Sequence, residues 1–353
     1  MIAPHEVQEI NTVSEALRSH GSALPDARLL DLDMVSIGNG AMADTFLLKL
    51  TWSAPGDGPA SVILKRPSTD SSAAATAASL GAYEREARFY TELAPRTEVR
   101  VPRLFGTLDH ARGSTADTVL LEDLTEGFAP GDQFHETSLP RIEGARHQLA
   151  LLQAPFWNDP ETAGLPWLHR RLGVPIPGIL ERMERSWAAA RSTILADLPA
   201  DERACIDRFV RSAQGWAEKP IGPNSLVHHD FRVDNLLFGP NEVVAIDWQT
   251  IGWGPVMFDF AYLVGTSLEV ESRRKLERDL VRRHVHDLQE LGVTWNESDA
   301  WDAYRWAAFA VLLMLVPPIS TVKSNPRMEA MFRRLLSLGA RLAIDVDSLE
   351  LLN

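Results

Sequence analysis

Short apolar runs, separated by polar residues, recur in the first third of the chain, and this pattern predicts β-strands. Each stretch is rich in Val, Ile, Leu, Thr or Phe and is bounded by Gly, Pro or charged residues, as strands usually are. The predicted strands cover residues 45–48, 61–67, 101–106 and 117–122. With the segment before residue 45 they predict a small sheet of about five strands.

In most of the remaining chain, apolar positions recur every three to four residues, which predicts helices. One such helix, residues 80–93, lies within the strand-rich part and ends before Pro95. From residue 123 onward the predicted helices cover residues 138–152, 179–198, 200–216, 273–291, 300–315 and 328–344. Only short strands interrupt them, at residues 226–227, 236–238 and 243–246.

Together the two patterns predict an α+β protein with two domains. A sheet-rich N-terminal domain would cover residues 1–122, and a larger helical C-terminal domain residues 123–353. Near the N-terminus, Thr12 to Glu15 have the form of a capping box, which predicts the start of a short helix ending near Gly21. The Ala- and Ser-rich residues 71–79 fit either a connection or the start of a helix.

Four polar residues lie around the short strands of the C-terminal domain, on predicted loops: His228, Asp230, Asn235 and Asp247. Phosphoryl transfer from ATP needs an aspartate that accepts or orients the proton of the acceptor hydroxyl. It also needs oxygen ligands that hold Mg²⁺ against the phosphates. Asp230 suits the first role, and Asn235 and Asp247 suit the second. The spacing therefore predicts a phosphoryl-transfer site, with His228 beside the catalytic aspartate.

Two other interpretations of these residues stay open. Asp230 and Asn235 are also typical turn residues, and His228 would then be a buried, hydrogen-bonded histidine. The doublet His229-Asp230 with a remote aspartate also resembles the metal site of HD-type phosphohydrolases. Those doublets lie on helices in an all-helical fold, whereas this one lies between predicted strands, which favours phosphoryl transfer.

Features upstream match what a kinase needs to hold a nucleotide. Gly38 and Gly40 precede a predicted strand, and they would let backbone amides approach the phosphates closely. The same pair would also suit a hairpin turn. Lys65 ends an apolar strand and is the predicted phosphate-binding lysine, because strand alternation turns Arg66 to the opposite face.

Glu86 lies beside the apolar stripe of the helix at residues 80–93. A glutamate there would bind the Lys65 ammonium and fix it on the α- and β-phosphates. Glu84 is the second candidate, although its helical angle points it farther from the stripe. A glutamate that only reaches water is the alternative. Farther along, Glu122 and Leu124 belong to the connection between the domains, where we expect backbone groups to bind the adenine edge.

These motifs resemble those of the aminoglycoside phosphotransferase and choline kinase family of kinase-like small-molecule phosphotransferases. The similarity covers residues 35 to 264. Residues 121–124, 149–157 and 246–249 most resemble the ecdysteroid-kinase-like branch and its bacterial relatives. The resemblance implies a bilobal protein-kinase-like fold, with a small antiparallel sheet and one main helix in the N-lobe and a mostly helical C-lobe.

The same resemblance implies roles for individual residues. Asp230 would be the catalytic base or orienting carboxylate, Asn235 and Asp247 the metal ligands, and Lys65 and Glu86 the ion pair that anchors the phosphates.

Two further positions match or depart from the family. Asp259 matches a family segment and would tie the following helix to the catalytic loop, although an ordinary first-turn acidic residue is the alternative. The family usually has glycine between the loop histidine and aspartate, where this chain has His229.

The chain between Asp247 and Asp259 is too short to form the platform on which protein kinases bind a peptide. A small hydroxyl-bearing acceptor is therefore predicted, with ATP and Mg²⁺ as cofactors. It would be aminoglycoside-like, choline-like, or a steroid or other bulky alcohol. The alternative is an inactive pseudokinase that binds a nucleotide or a partner. Such proteins usually lose the equivalents of Lys65, Asp230 or Asp247, and all three are retained.

Composition narrows the partners and the compartment. The formal charge of -13 argues against nucleic acid or an anionic membrane as a partner, and it is compatible with a cationic acceptor. A single cysteine, Cys205, and no evident secretory signal predict a cytoplasmic protein. Residues 306–319 are too short to span a membrane and predict a buried helix. Six tryptophans could line an acceptor pocket, although such residues more often form core: Trp157, Trp167, Trp187, Trp216, Trp301 and Trp306.

Overall fold

The computed structural model describes residues 4–39, 43–109, 116–168, 179–193, 195–320 and 325–352. The chain divides into two units. The first comprises Met1–Arg96, Arg100–Phe128 and Ile246–Thr250, and the second comprises Thr97–Val99, Ala129–Ala245 and Ile251–Asn353. Compared with the predicted boundary at residue 122, the first unit extends to Phe128 and also includes the segment around Asp247.

A five-stranded antiparallel sheet organises the first unit, in the order β1-β2-β3-β5-β4. The strands are β1 (Leu29–Asn39), β2 (Ala43–Trp52), β3 (Ser61–Pro67), β4 (Leu104–Leu108) and β5 (Thr118–Leu121). The predicted small sheet is confirmed. Strand β4 begins three residues later than predicted, after Pro102, which lacks the N–H that a paired strand residue donates.

Helix α1 (Pro4–Ser19) covers one face of this sheet. Val13 and Leu17 pack with the buried strand residues Leu48 and Leu64 in the core of the unit. The capping-box prediction is wrong, because residues 12–15 lie inside α1. The helix instead begins at Pro4, where the missing proline N–H would have had no helical partner.

Two helices follow β3. Helix α2 (Ser71–Ser79) is capped by Asp70, whose carboxylate accepts from two backbone N–H groups of the first turn. Helix α3 (Ala82–Arg88) continues as a π-helix over Phe89–Leu93. The predicted helix at residues 80–93 is therefore present, and residues 71–79 prove to be a helix of their own.

The second unit is mainly helical, as predicted. Its helices are α4 (Leu139–Gln153), α5 (Pro160–Ala163), α6 (Ile179–Ala190), α7 (Ala200–Glu218), α8 (Met257–Ser267), α9 (Val270–Glu290), α10 (Glu297–Ala307), α11 (Ala310–Leu315) and α12 (Pro326–Asp345). Helix α6 ends eight residues before the predicted end, because a turn follows in which the Leu195 N–H donates to Ala190 O. The helix predicted over residues 300–315 is divided between α10 and α11.

Short strands carry the loop of interest in the second unit. The predicted strands are present as β7 (Asn224–Val227), β8 (Leu236–Phe238) and β9 (Val243–Ala245). Two more were not predicted: β6 (Ala129–Pro130), which pairs with β8, and β10 (Gly252–Pro255), which pairs with β7. Residues 228–235 therefore connect β7, which pairs with β10, to β8, which pairs with β6 and β9.

The most apolar part of the chain is core. Over the described residues, one stretch, Glu297–Ser320, is long and apolar enough to cross a membrane, but 72% of its most apolar window is buried inside the structure. Core helices of soluble proteins pass the same test, so this is weak evidence for a membrane span. Among the tryptophans, Trp187, Trp216 and Trp306 are at most 3% exposed. These three are core, so they do not line an acceptor pocket.

Candidate active site

Lys65, near the end of β3, contacts two carboxylates of the first unit. Its Nζ lies 2.8 Å from Glu86 Oε2 on α3 and 2.5 Å from Asp247 Oδ1. The side chains of Lys65 and Glu86 are only 13% and 5% exposed. The structure thus brings together Lys65, Glu86 and Asp247, of which the sequence had predicted only the first two as a pair.

The alternatives to these residues have other partners. Arg66 lies 3.4 Å from Glu9 and over the ring of Phe46, away from Lys65. Glu84 pairs with Arg88 one helical turn later. Lys65 and Glu86 are therefore the geometrically suitable lysine and glutamate.

Charge balance governs the protonation of this cluster. Burial by itself would lower the pKa of Lys65, but the carboxylates of Asp247 and Glu86 outweigh it and raise the pKa above its ordinary value. Burial raises the pKa of Glu86, and the Lys65 ammonium opposes that rise. Lys65 consequently remains a cation at physiological pH.

Part of the sheet face that carries Lys65 is apolar. Residues directly opposite one another on antiparallel strands share a face, and Val35, Leu47, Ile63 and Leu121 are opposite one another across β1, β2, β3 and β5. Ile63 precedes Lys65 by two residues and so points the same way. Val35 is 43% exposed, which leaves part of this apolar face accessible. The sequence analysis did not single out these residues.

Helix α3 and the π-helix that continues it hold the segment that carries Asp247 through three contacts. The Arg85 guanidinium donates to Gln249 O at 2.9 Å, and Glu86 accepts from the Trp248 N–H at 3.2 Å. The Phe89 ring stacks on Trp248 with ring centres 3.8 Å apart. Asp247 itself has a left-handed backbone, with φ of 65°. The segment is therefore fixed to the helix that also carries Glu86.

The other predicted nucleotide contacts are partly described. Gly38 lies in β1 opposite Thr45, next to a register irregularity, and Gly40 lies outside the described residues. The Glu122 carboxylate pairs with Arg100, and the Glu122 backbone N–H donates to Arg103 O. The Glu122 backbone carbonyl is therefore the group that could accept a hydrogen bond from a base. Leu124 is buried, at 8% exposure. Backbone contact of Glu122 and Leu124 with adenine stays a prediction.

In the second unit, the loop after β7 holds the Asp230 carboxylate from both sides. Asn235 Nδ2 donates to Asp230 O and to Oδ2, both at 2.9 Å. Arg232 Nε lies 3.2 Å from Oδ1. Both Asp230 and Asn235 were predicted from the motif, whereas Arg232 was not.

Asp259 on α8 holds the backbone of this loop. Its two oxygens accept from the backbone N–H groups of His228 and His229, at 2.6 and 2.9 Å. Burial raises the pKa of Asp259 to about 7, although the two backbone donors oppose the rise. The predicted structural tie is thus present, and the ordinary first-turn role is not what the contacts indicate.

The two histidines of the loop are buried and hold its backbone. His228 Nδ1 accepts from the Asp230 N–H at 3.3 Å, and the side chain is fully buried, which suits a supporting role better than contact with a substrate. His229 has φ of 65°, the conformation that glycine adopts most easily. The Cβ of His229 costs about 1 kcal/mol there, and packing of its buried ring 5.2 Å from Phe258 offsets this.

Two more contacts of the loop were not foreseen. Gly131 donates its N–H to Val233 O, and a Cβ on Gly131 would lie 2.3 Å from that oxygen, so only glycine fits. Tyr262 lies one turn after Asp259 on α8, and burial, with the nearby charge of Asp230, raises its pKa well above the ordinary value. No local sequence pattern marks either residue.

The oxygen atoms suit a hard divalent cation. Asn235 uses its amide nitrogen for both hydrogen bonds to Asp230, so its amide oxygen Oδ1 can serve as a ligand for a cation. Asp247 supplies a carboxylate that is 28% exposed. Asn235 belongs to the second unit and Asp247 to the first, and their sharing of one ion stays a prediction.

Comparison with known proteins agrees with this geometry. The model of the phosphotransferase enzyme family matches residues 33–307 of the chain. None of the curated proteins compared with the chain matches it.

Solved structures share the fold. A putative aminoglycoside phosphotransferase from Ralstonia eutropha has 18% identity and a TM-score of 0.54, covering 96% of this chain and 98% of that one. Choline kinase from Cryptosporidium parvum has 9% identity and a TM-score of 0.54, covering 91% and 90%. The ternary complex of streptomycin, ATP and APH(2'')-IIa has 16% identity and a TM-score of 0.53, covering 97% and 99%.

The predicted kinase-like α+β fold and the predicted phosphotransferase class are confirmed, whereas the ecdysteroid-kinase-like branch stays a prediction. The family model spans most of the chain and includes every residue discussed above from Val35 to Tyr262. The chain belongs to the phosphotransferase enzyme family.

Proposed function

We propose that the protein transfers the γ-phosphoryl group of ATP to a hydroxyl group of a small molecule. The observation that carries this proposal is the position of Lys65, a buried cation held between Glu86 and Asp247. A structural ion pair needs one carboxylate. Two carboxylates around one lysine suit a site where a further positive charge and a polyphosphate are bound together.

The first unit would bind the nucleotide. The apolar face formed by Val35, Leu47 and Ile63 suits a purine ring, and Lys65 on the same face would contact the α- and β-phosphates. Glu86 would keep the ammonium in place while the phosphates bind.

Asn235 and Asp247 would hold Mg²⁺ through oxygen atoms. Bound there, the ion would neutralise the charge on the phosphates. Asp247 is already oriented by Lys65 and by the contacts of α3 with Trp248 and Gln249, so little rearrangement of this carboxylate is required.

Asp230 would accept or orient the proton of the acceptor hydroxyl. Its carboxylate accepts from Asn235 and its backbone N–H donates to His228, so the loop limits where it can point before the acceptor binds. Such positioning, rather than covalent chemistry, supplies most of the rate enhancement in phosphoryl transfer.

A small acceptor fits the path of the chain after Asp247. The segment passes through β10 directly into α8 and offers no platform for a peptide. One solved structure of similar fold is a complex with streptomycin and another is a choline kinase, and streptomycin and choline are both cationic alcohols. The charge of -13 favours a cationic acceptor of this kind over an anionic one.

An acceptor screen tests the proposal. Choline, streptomycin and 20-hydroxyecdysone would each be incubated with the protein and Mg·ATP, and mass spectrometry would detect a product heavier by one phosphoryl group. Asp230→Ala should abolish the product while ATP binding persists. ATP that binds but is never consumed with any hydroxyl compound in a wider library would favour the inactive pseudokinase instead.

A further inference from the structure

We propose that Arg232 is a positioning residue that orients the Asp230 carboxylate, a role that rests on the proposed phosphoryl transfer. Arg232 follows Asp230 by two residues and lies 3.2 Å from Oδ1, through Nε. Asn235 holds the other oxygen, Oδ2, at 2.9 Å. Each carboxylate oxygen therefore has its own partner, on opposite sides of the group.

The guanidinium is itself fixed at its far end. Its NH1 donates to Gln133 Oε1 at 2.7 Å and lies 3.9 Å from the sulfur of Met331 on α12. The Arg232 side chain is 22% exposed and Gln133 is 6% exposed, so water competes little for these contacts.

Gln133 is held in turn by its backbone. Its N–H donates to Asp234 Oδ1 at 2.9 Å, and its carbonyl accepts from Arg334 Nε at 2.9 Å. Arg334 also pairs with Glu269, at 2.7 Å. A chain of contacts therefore runs from α12 through Gln133 and Arg232 to Asp230.

This arrangement restrains rotation of the carboxylate. Asn235 holds Oδ2 by a hydrogen bond, and the Arg232 ion pair adds an electrostatic attraction on Oδ1 that opposes rotation of the carboxylate about its terminal torsion angle. Arginine suits the task because its planar fork can bind Asp230 and Gln133 at the same time, which a lysine ammonium on a flexible stem cannot do with the same geometry. A displacement of roughly 1 Å in a catalytic group costs about a hundredfold in rate.

A merely stabilising ion pair is the competing explanation. Partly exposed pairs contribute about 0–1 kcal/mol to stability and would leave the rate unchanged. A matched control exists in the same unit. Arg341 on α12 is 19% exposed and pairs with Glu202 at 3.0 Å, away from the Asp230 loop.

The test compares Arg232→Gln, Arg232→Lys, Gln133→Ala and Arg341→Gln. Turnover is measured with whichever of choline, streptomycin and 20-hydroxyecdysone the wild type phosphorylates, and as ATP hydrolysis in parallel. We expect Arg232→Gln to lower kcat about a hundredfold while KM for Mg·ATP stays within about threefold. Arg232→Lys should be intermediate, Gln133→Ala should lose about tenfold, and Arg341→Gln should lose less than about threefold.

A crystal structure of Arg232→Gln provides a readout that needs no acceptor. The proposal requires the Asp230 carboxylate to be rotated relative to the wild type. An unchanged carboxylate, or wild-type kcat in Arg232→Gln, would overturn the positioning role. Asp230→Asn in the same assays separates this result from the proposed function. If Asp230→Asn is inactive, the proposed function stands even when the positioning role of Arg232 is rejected. Full turnover in Asp230→Asn would reject the proposed function itself.

Discussion

Two aspartates of this protein, Asp247 in the first unit and Asp230 in the second, are held in different ways. Asp247 contacts the Lys65 ammonium at 2.5 Å and belongs to a cluster of three buried or half-buried charges. Asp230 belongs to a loop whose backbone is fixed mainly by hydrogen bonds, to Asp259, His228 and Asn235. The first site therefore depends on charge balance, and the second depends on backbone geometry.

This difference separates the expected consequences of substitution. Removing a charge from the Lys65 cluster leaves an unpaired buried ion, which affects stability strongly. Altering the Asp230 loop changes where a carboxylate points, which affects turnover more than binding. The predictions below test each half of that contrast, from the largest expected effect on stability to the smallest.

Lys65→Met should destabilise the protein most. Without the ammonium, Glu86 remains buried beside Asp247 with no opposite charge, and breaking a buried ion pair in this way costs about 3–5 kcal/mol. Chemical denaturation would measure the free energy of unfolding. Arg66→Met is the matched control on the same strand, because its pair with Glu9 is 24% and 36% exposed and should contribute less than about 1 kcal/mol. Equal losses in the two variants would contradict the charge-balance account.

The loop in the second unit should show a pH-dependent stability through Asp259. Its pKa is raised from 3.8 to about 7 in the folded protein, so the folded state binds a proton more tightly than the unfolded state does. The resulting stabilisation is fully present below pH 3.8 and is lost as the pH rises through 7. The loss should be on the order of 4 kcal/mol.

Unfolding free energies of the wild type and Asp259→Asn, measured in parallel from pH 4 to pH 8, would isolate this contribution. The wild type should lose stability relative to the variant as the pH rises, because only the wild type has the titrating carboxyl. A difference between the two that does not vary with pH would show that Asp259 is ionised throughout.

Backbone crowding at the Asp230 loop should produce a smaller but clear effect. In Gly131→Ala the new Cβ would lie 2.3 Å from Val233 O, and the required shift should cost about 1–3 kcal/mol and lower turnover. Gly215 in α7 has no atom within 4 Å of an added Cβ, so Gly215→Ala should instead stabilise by about 0.5–1 kcal/mol. Thermal denaturation should therefore show a lower melting temperature for Gly131→Ala and a higher one for Gly215→Ala. An unchanged melting temperature in Gly131→Ala would contradict the close approach of residue 131 to Val233.

Sequence identified the residues that act through local motifs. Asp230 and Asn235 are five residues apart and bond within one loop, so their spacing alone carries the information. Lys65 and Glu86 could be assigned because they follow the glycine loop in the order that a kinase requires, a lysine on a strand and a glutamate on a later helix. The small sheet and most helices follow from hydrophobic periodicity in the same way.

Contacts between distant segments could not be predicted. Arg85 bonds to Gln249, 164 residues away, and no periodicity links the two positions. The need for glycine at residue 131 arises only when β6 approaches the loop, and β6 itself is too short to give a strand pattern. The positions of the tryptophans could not be predicted either, because composition does not distinguish a buried ring from one that lines a pocket.

Calorimetric titration of ATP in the presence and absence of Mg²⁺ tests most directly whether Asp247 serves nucleotide and metal binding while Asp230 serves the acceptor. Asp230→Asn should bind Mg·ATP within about threefold of the wild type, because its change affects the acceptor side only. Asp247→Asn should bind at least about tenfold more weakly and lose most of its dependence on Mg²⁺. Equal weakening in both variants, or Mg²⁺-dependent binding that survives in Asp247→Asn, would contradict the account.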